Sequence, residues 1–311
     1  MYIHRPAVLA SLALLTSFAA AQTVQPTVWA TKPDVNGFEK MVTDRLAAAE
    51  SAIHQLTSVQ GPRTIENTLV PYDQAVERIN SAAYLSGLIE QVHPDVAFRD
   101  RATEMVRKAS AAQTDLSLNH DVYQALASVD VSKADPATRY YAERQLLEFR
   151  LAGVDKDAAT REKLKKLNDE LTLELVALDR NISDDQKKVE LTDSKQLEGL
   201  PQDYIDSHKP GPDGKIYITT NYPDIFPALT FSKSDDLRRR LVLAFNTHAY
   251  PKSKEVLENM MKTRYQIATT LVYSSWADYS AADKMIRRGA NIAGFIEKVD
   301  SAARPFAERE F

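Results

Sequence analysis

Apolar residues between Leu164 and Ile182 recur at steps of 3, 4, 4, 3 and 4, and this spacing constrains the fold more than any other feature of the sequence. Side chains three and four residues apart share one face of an α-helix, so the stretch predicts a long amphipathic helix. Such a face usually packs against neighbouring helices, and we interpret it as core rather than as a cofactor site. Its members are Leu164, Leu167, Leu171, Leu175, Leu178 and Ile182.

Another helix is predicted immediately before this one. Asp135 followed by Pro136 is typical of a helix start, because aspartate caps the first N–H groups and proline fits the first turn. Gly153 is typical of a helix end. We expect the two helices to form an antiparallel pair, joined around residues 153–157. The side of the first helix that we expect to be buried carries Tyr140, Leu147 and Leu151, with Leu146 and Phe149 close by.

The predicted fold is mainly α, with one small β element near residues 215–231. Ile216 to Thr220 are β-branched or aromatic and follow a turn rich in proline and glycine, which predicts a strand. A second extended piece is expected at Ala228–Phe231. Ser234 is a good N-cap for a helix that buries Leu237 and Leu241. Further helices are expected near residues 36–58, 72–92, 96–116, 121–127, 234–250, 253–272, 276–285 and 292–303.

The first residues have the composition of a secretory signal peptide. Arg5 precedes an almost continuous apolar run from Ala7 to Phe18, and three alanines ending at Ala21 provide a small-x-small cleavage site before Gln22. We expect residues 1–21 to be removed and the mature chain to be exported, either to the periplasm or out of the cell. A retained N-terminal anchor is the alternative. The mature chain has no second apolar run of membrane length, so no membrane span is predicted in it.

Composition and motifs exclude several kinds of site. The chain has 39 basic and 43 acidic residues, a balance that does not favour nucleic-acid binding. It has no cysteine, so disulfides and thiolate metal sites are excluded. The patterns His-Glu-x-x-His, Gly-x-Ser-x-Gly and the P-loop are all absent. We therefore assign no catalytic, cofactor-binding or metal-ligating residue. The scattered histidines are His4, His54, His93, His120, His208 and His248.

Four local groupings of charged or titratable residues receive structural interpretations. We expect the pairs His120–Asp121 and Asp206–His208 to be exposed or to cap helices. His248 lies near the apolar side of its helix and is expected to be partly buried with a hydrogen-bond partner. Three consecutive arginines, Arg238–Arg240, point in different directions on a helix and cannot converge on one anion. We expect them to be solvated and paired with Asp235 and Asp236.

Five blocks resemble the thimet oligopeptidase, neurolysin and peptidyl-dipeptidase family of zinc metallopeptidases. Within the last block, Arg264, Ala268 and Tyr273 stand where the family commonly has the same residues, whereas Ser253 and Val272 replace its usual Asn and Gly. The blocks are RYYAERQLLEFRLAGV (139–154), TREKLKKLNDELTLELVALDRN (160–181), LEGLPQDYI (197–205), DGKIYITTNYPDIFPAL (213–229) and PKSKEVLENMMKTRYQIATTLVYSSWADYSAADKM (251–285).

The resemblance implies the N-terminal helical half of a channel-type oligopeptidase. Such enzymes cut short peptides in a channel between two mostly helical halves. The zinc-binding His-Glu-x-x-His helix and a further glutamate lie in the C-terminal half. On this basis residues 22–199 form an N-terminal helical domain, and residues 200–311 form the incomplete start of the catalytic domain. Zinc is the cofactor of the complete family protein, whereas this chain alone is expected to bind none and to be inactive.

Two other functions are compatible with the same residues. One is an inactive exported helical binding module that shares the family's ancestry, and the other is an unrelated helical scaffold or adaptor. If the chain is part of a larger enzyme, it is expected to expose an apolar face where the other half docks. Val299, Phe306 and Phe311 are the predicted members of that face.

The signal-peptide interpretation predicts the start of the exported protein. Because cleavage follows the small-x-small pattern, material recovered outside the cytoplasm should begin near Gln22. N-terminal sequencing of that material tests the expectation. Exported protein that begins at Met1 would contradict it.

Overall fold

The computed structural model describes residues 32–311, and the predicted signal peptide lies outside them. This part of the chain is mainly α, as predicted, and none of its helices is long and apolar enough to cross a membrane. Its helices are α1 (Val35–Thr57), α2 (Val70–Val92), α3 (Val96–Ser117), α4 (His120–Ala127), α5 (Pro136–Ala152), α6 (Ala158–Asp184), α7 (Gln202–Ser207), α8 (Tyr222–Phe231), α9 (Asp235–Asn246), α10 (Lys254–Thr270), α11 (Trp276–Ala281) and α12 (Gly289–Glu310).

The first three helices form a layered unit in which α2 packs against both α1 and α3. Asp34 caps α1 by accepting the N–H of Gly37 at 2.7 Å, and Asp95 caps α3 by accepting the N–H of Ala97 at 2.8 Å. Alanines at the contacts allow the helix axes to approach closely, and larger side chains fill the space between them. The buried residues shared by these helices include Phe38, Val42, Ala82, Ile89, Ala102, Met105 and Ala109.

Helix α5 has the predicted ends but not the predicted partner. The Asp135 carboxylate accepts the N–H groups of Ala137 and Thr138, and Gly153 ends the helix with φ at +97°. However, α6 packs on α10 and α3 instead of pairing along α5. The buried face of α5 carries Ala142 and Phe149, whereas Tyr140 is 68% exposed. The predicted antiparallel pair is therefore wrong, because the two apolar faces turn toward different parts of the core.

The leucine face of α6 is used mainly at its N-terminal end. Leu164 and Leu167 are buried against Ile267 of α10 and against Leu271, which directly follows it. Leu171, Leu175 and Leu178 further along the face are half-buried, and Ile182 at the far end is 45% exposed. The helix is confirmed, but its apolar spacing overestimates how much of it is core.

A two-stranded antiparallel sheet interrupts the helices. β1 (Lys188–Glu190) pairs with β2 (Tyr217–Thr219), and Val189 lies opposite Ile218. β2 confirms the predicted strand, but β1 lies outside the predicted range of residues 215–231. The expected extended piece at Ala228–Phe231 is also wrong, because these residues end α8. Ile225 and Ala228 are buried at helical spacing, and this packing outweighs the extended propensity of the segment.

Gly153 offers a direct test of how the loop after α5 packs. Its φ of +97° disfavours any side chain, and an added Cβ would lie 2.6 Å from Leu164 Cδ1 and 2.7 Å from Leu271 Cδ2. Gly153→Ala should therefore lower the free energy of unfolding by about 1–3 kcal/mol. Urea unfolding followed by circular dichroism measures the effect.

The matched control for that substitution is Gly87→Ala in the middle of α2. A Cβ added at Gly87 meets no atom within 4 Å. Because alanine is the better helix former, this change should raise stability by about 0.5–1 kcal/mol. Equal effects of the two substitutions would contradict the packing described for Gly153.

Candidate functional site

The histidines of the described chain lie apart from one another. His93 stacks on Phe98 with ring centroids 4.0 Å apart, and exposed His120 contacts the side-chain amide of Gln124. Within residues 32–311, no group of three or more histidine, aspartate or glutamate side chains could hold a metal ion. The residues present therefore do not fit a zinc site.

His208 is held more firmly than its sequence context predicts. Its side chain is 12% exposed and stacks on Tyr204 with ring centroids 4.0 Å apart. The ring Nδ1 lies 2.8 Å from the Tyr204 carbonyl oxygen, and Nε2 lies 3.6 Å from a carboxylate oxygen of Asp224. Asp206 is exposed as predicted and accepts a hydrogen bond from Gln202. The prediction that these residues are exposed or cap a helix is thus confirmed, because Asp206 is exposed and His208 occupies the C-cap position of α7.

His248 has the predicted hydrogen-bond partner, and that partner is Thr220. Thr220 Oγ1 lies 2.6 Å from His248 Nε2 and also accepts the backbone N–H of Lys187 at 3.1 Å. The Asp185 carboxylate is nearby and accepts the N–H of Ala249, and this hydrogen bond lowers the pKa of Asp185 below its usual range.

These three side chains combine a hydroxyl, an imidazole and a carboxylate, but their arrangement is structural. Thr220 is only 1% exposed, and its hydroxyl is already engaged by the His248 ring and the Lys187 N–H, so it is not placed to attack a substrate carbonyl carbon. Its hydrogen bond to His248 instead connects the segment just after α9 to Thr220, the residue that directly follows β2. We assign no nucleophilic role to Thr220.

A cavity of about 530 Å³ opens beside this cluster, and we call it the aromatic cleft. It lies where the end of α6, the start of α8 and the end of α9 meet. The Tyr222 and Phe245 rings lie 5.9 Å apart, and Phe226 packs against both of them. The residues lining the cleft are Ile182, Ser183, Gln186, Thr220, Asn221, Tyr222, Pro223, Asp224, Phe245 and His248.

No pattern in the sequence singles out the aromatic cleft. Its residues come from three separate segments, and only the tertiary fold brings them together. The sequence does place three aromatic residues, Tyr222, Phe226 and Phe231, within ten positions, which marks the segment as rich in aromatic side chains. The structure leaves Tyr222 65% exposed and Phe226 49% exposed.

The three arginines of α9 behave as predicted. Arg238 pairs with Asp235, and the Arg240 Nε donates to Asp236 at 2.9 Å. Arg240 also donates to the backbone carbonyl of Glu190 at 2.6 Å, which attaches α9 to β1. The arginines do not converge on a common anion site.

Helix α12 has no buried residue. Its apolar side chains nevertheless lie three and four residues apart, as on the packed face of a helix. Val299 is 51% exposed and Phe306 is 61% exposed, and Phe311 just beyond the helix is fully exposed, as predicted. We call this surface the α12 face, which consists of Ile292, Phe295, Ile296, Val299 and Phe306.

Comparison with known proteins finds a similarity to peptidases. The model of peptidase family M3 matches residues 228–311. The chain is 25% identical to saccharolysin of Saccharomyces cerevisiae, over 96% of the chain and 43% of that protein. It is 23% identical to thimet-like oligopeptidase of Dictyostelium discoideum, over 89% of the chain and 42% of that protein. It is 21% identical to oligopeptidase A of Salmonella typhimurium, over 96% and 45%.

These matches confirm the predicted resemblance: the chain is related to the M3 peptidases of the thimet oligopeptidase group. The identity is low, but the alignments run along almost the whole chain. The chain spans less than half the length of these curated relatives.

The structural role of Thr220 predicts the effect of removing its hydroxyl. Thr220→Val leaves the Lys187 N–H and the His248 ring without a partner, so the free energy of unfolding should fall by about 1–3 kcal/mol. Thr230→Val is the control, because Thr230 is exposed in α8, and it should change stability by less than about 0.5 kcal/mol. Thermal unfolding of both variants measures the difference. An unchanged Thr220→Val protein would contradict the structural assignment.

Proposed function

We propose that the chain is the N-terminal part of an exported, zinc-dependent metallopeptidase that hydrolyses short peptides. The observation that carries the proposal is the alignment with saccharolysin along 96% of the chain, together with the family M3 match at residues 228–311. The names of two relatives, thimet-like oligopeptidase and oligopeptidase A, support short peptides as substrates. Export rests on the apolar run at Ala7–Phe18 and the small residues that follow it.

Under this proposal the chain supplies framework, and other residues of the enzyme supply the metal ligands. The described residues offer no set of three ligands, and His-Glu-x-x-His is absent from the sequence. No step of peptide hydrolysis is therefore assigned to the side chains described here. Their role is to build a helical wall and to hold the segment at residues 228–311 against α6.

The α12 face supports the same proposal. A helix of 22 residues that exposes a continuous apolar stripe to water is unfavourable, because burying such side chains stabilises a fold by about 25 cal/mol per Å². Further polypeptide packed on this face would remove the stripe from water. We propose that the metal-binding part of the enzyme covers it.

The decisive experiment compares the 311-residue chain with the complete product of its gene. The complete product should contain one zinc per molecule, cut a fluorogenic short peptide and lose activity when a chelator removes the metal. The 311-residue chain alone should neither contain zinc nor cut the peptide. Elemental analysis and a continuous fluorescence assay measure both properties.

Other outcomes of this comparison would reject the proposal. If the gene ends after Phe311 and its product melts cooperatively as a monomer without binding a hydrophobic dye, the chain is an inactive helical binding module. Stoichiometric zinc in the 311-residue chain, lost when one of its histidines is replaced, would contradict the assignment of the metal ligands to other residues.

A further inference from the structure

We infer that the aromatic cleft is a binding site for a peptide segment that carries an aromatic side chain between uncharged peptide groups. The inference deepens the proposed function and rests on it for the choice of a peptide as ligand. The cleft's volume of about 530 Å³ lies within the range of about 300–1,000 Å³ that is typical of small-molecule pockets.

The walls of the cleft are suited to an aromatic ring. Tyr222 is 65% exposed and Ile182 is 45% exposed, so both offer apolar surface that the protein itself leaves in contact with water. Tyr222 also packs edge-to-face on Phe226, with ring centroids 5.0 Å apart, which holds its ring in a defined orientation. An incoming ring can extend this arrangement through the offset or edge-to-face contacts that aromatic pairs prefer.

The polar groups of the cleft are suited to amides. Asn221 and Gln186 both line it, and neither side-chain amide has a hydrogen-bond partner among residues 32–311. Asn221 occupies the N-cap position of α8 but makes no capping hydrogen bond with its side chain. Each side-chain amide has both a donor and an acceptor, and so it can bind a peptide N–H or C=O.

The charged groups around the cleft already have partners, which favours an uncharged ligand. The Asp224 carboxylate accepts hydrogen bonds from the backbone N–H and the hydroxyl of Thr219. Asp185 accepts the N–H of Ala249, and the Lys187 ammonium donates to the hydroxyl of Thr247 at 2.8 Å. A charged ligand would have to compete with these contacts, whereas a ring flanked by peptide groups would not.

The test measures binding of two capped tripeptides to the 311-residue chain by isothermal titration calorimetry in the presence of EDTA. Acetyl-Gly-Phe-Gly-amide should bind at least about 10-fold more tightly than acetyl-Gly-Ala-Gly-amide, because only the first buries an aromatic ring. Tyr222→Ala should weaken binding of the phenylalanine peptide by about 5-fold or more. Asn221→Ala should weaken it by about 3- to 10-fold, and it removes no helix cap.

The control is Tyr140→Ala, which removes an aromatic ring of similar exposure from α5, away from the cleft. It should leave affinity for the phenylalanine peptide within about 2-fold. Unchanged melting temperatures of the three variants establish that the fold is retained. Equal affinities for the two peptides, or an unchanged affinity in Tyr222→Ala, would overturn the inference.

A third probe separates peptide recognition from simple binding of an aromatic ring. Toluene has the phenylalanine ring but no amide, so it should bind more weakly than the phenylalanine peptide and should be insensitive to Asn221→Ala. Equal affinity for toluene and the peptide would overturn the role given to the amides.

The binding test is independent of hydrolysis, because it needs neither zinc nor turnover. If the complete gene product proves inactive while the phenylalanine preference is present, the proposed function fails and the cleft stands as a binding site. If the complete product is an active peptidase while the two tripeptides bind equally, only the inference about the cleft fails.

Discussion

The contact between α6 and α10 is the interaction on which the rest of the structure depends. Leu164 and Leu167 of α6 pack against Ile267 and Leu271, which lie in α10 and directly after it. These residues are about one hundred positions apart in the sequence, so their contact closes a long loop at a considerable entropic cost. Burial of four aliphatic side chains offsets part of that cost. The contact attaches the helices that precede it to the segment that matches family M3.

Gly153 shows how closely this contact is fitted. The turn after α5 passes so near to Leu164 and Leu271 that no side chain fits there without displacing them. The turn that begins at Gly153 leads to α6, which packs on α10. The sheet and α9 contribute to a separate cluster, centred on Ile218, Leu237 and Leu241, against which Phe245 of the aromatic cleft packs.

Local features of the fold could be predicted from the sequence because they depend on near neighbours. The Asp135 cap, the Gly153 stop and the Ser234 cap all act within a single turn and are confirmed. Long-range pairings were harder to predict. Strand β1 has only three residues and exists because β2 lies beside it, so no pattern in residues 188–190 identifies it. The expected pairing of α5 with α6 was wrong, because several apolar surfaces were available to each.

The candidate site, too, could be predicted only in its local features. The sequence establishes which motifs are absent. It also predicted that His248 would have a hydrogen-bond partner, but it did not identify Thr220 as that partner. The aromatic cleft could not be predicted, because Ile182, Tyr222 and Phe245 converge only in the folded chain. The exposed α12 face was anticipated at Val299 and Phe306 from the family resemblance, which implies a docking face for the other half of the enzyme. What covers that face depends on polypeptide other than the residues described here.

The central claim is that this chain is one part of a larger peptidase whose metal-binding part packs on α12. Amide hydrogen exchange along α12 tests it most directly, because a helix with no buried residue opens locally at low cost. The account predicts rapid exchange of residues 289–310 in the 311-residue chain and strong protection of the same amides in the complete gene product. Equal exchange rates in the two proteins would contradict it.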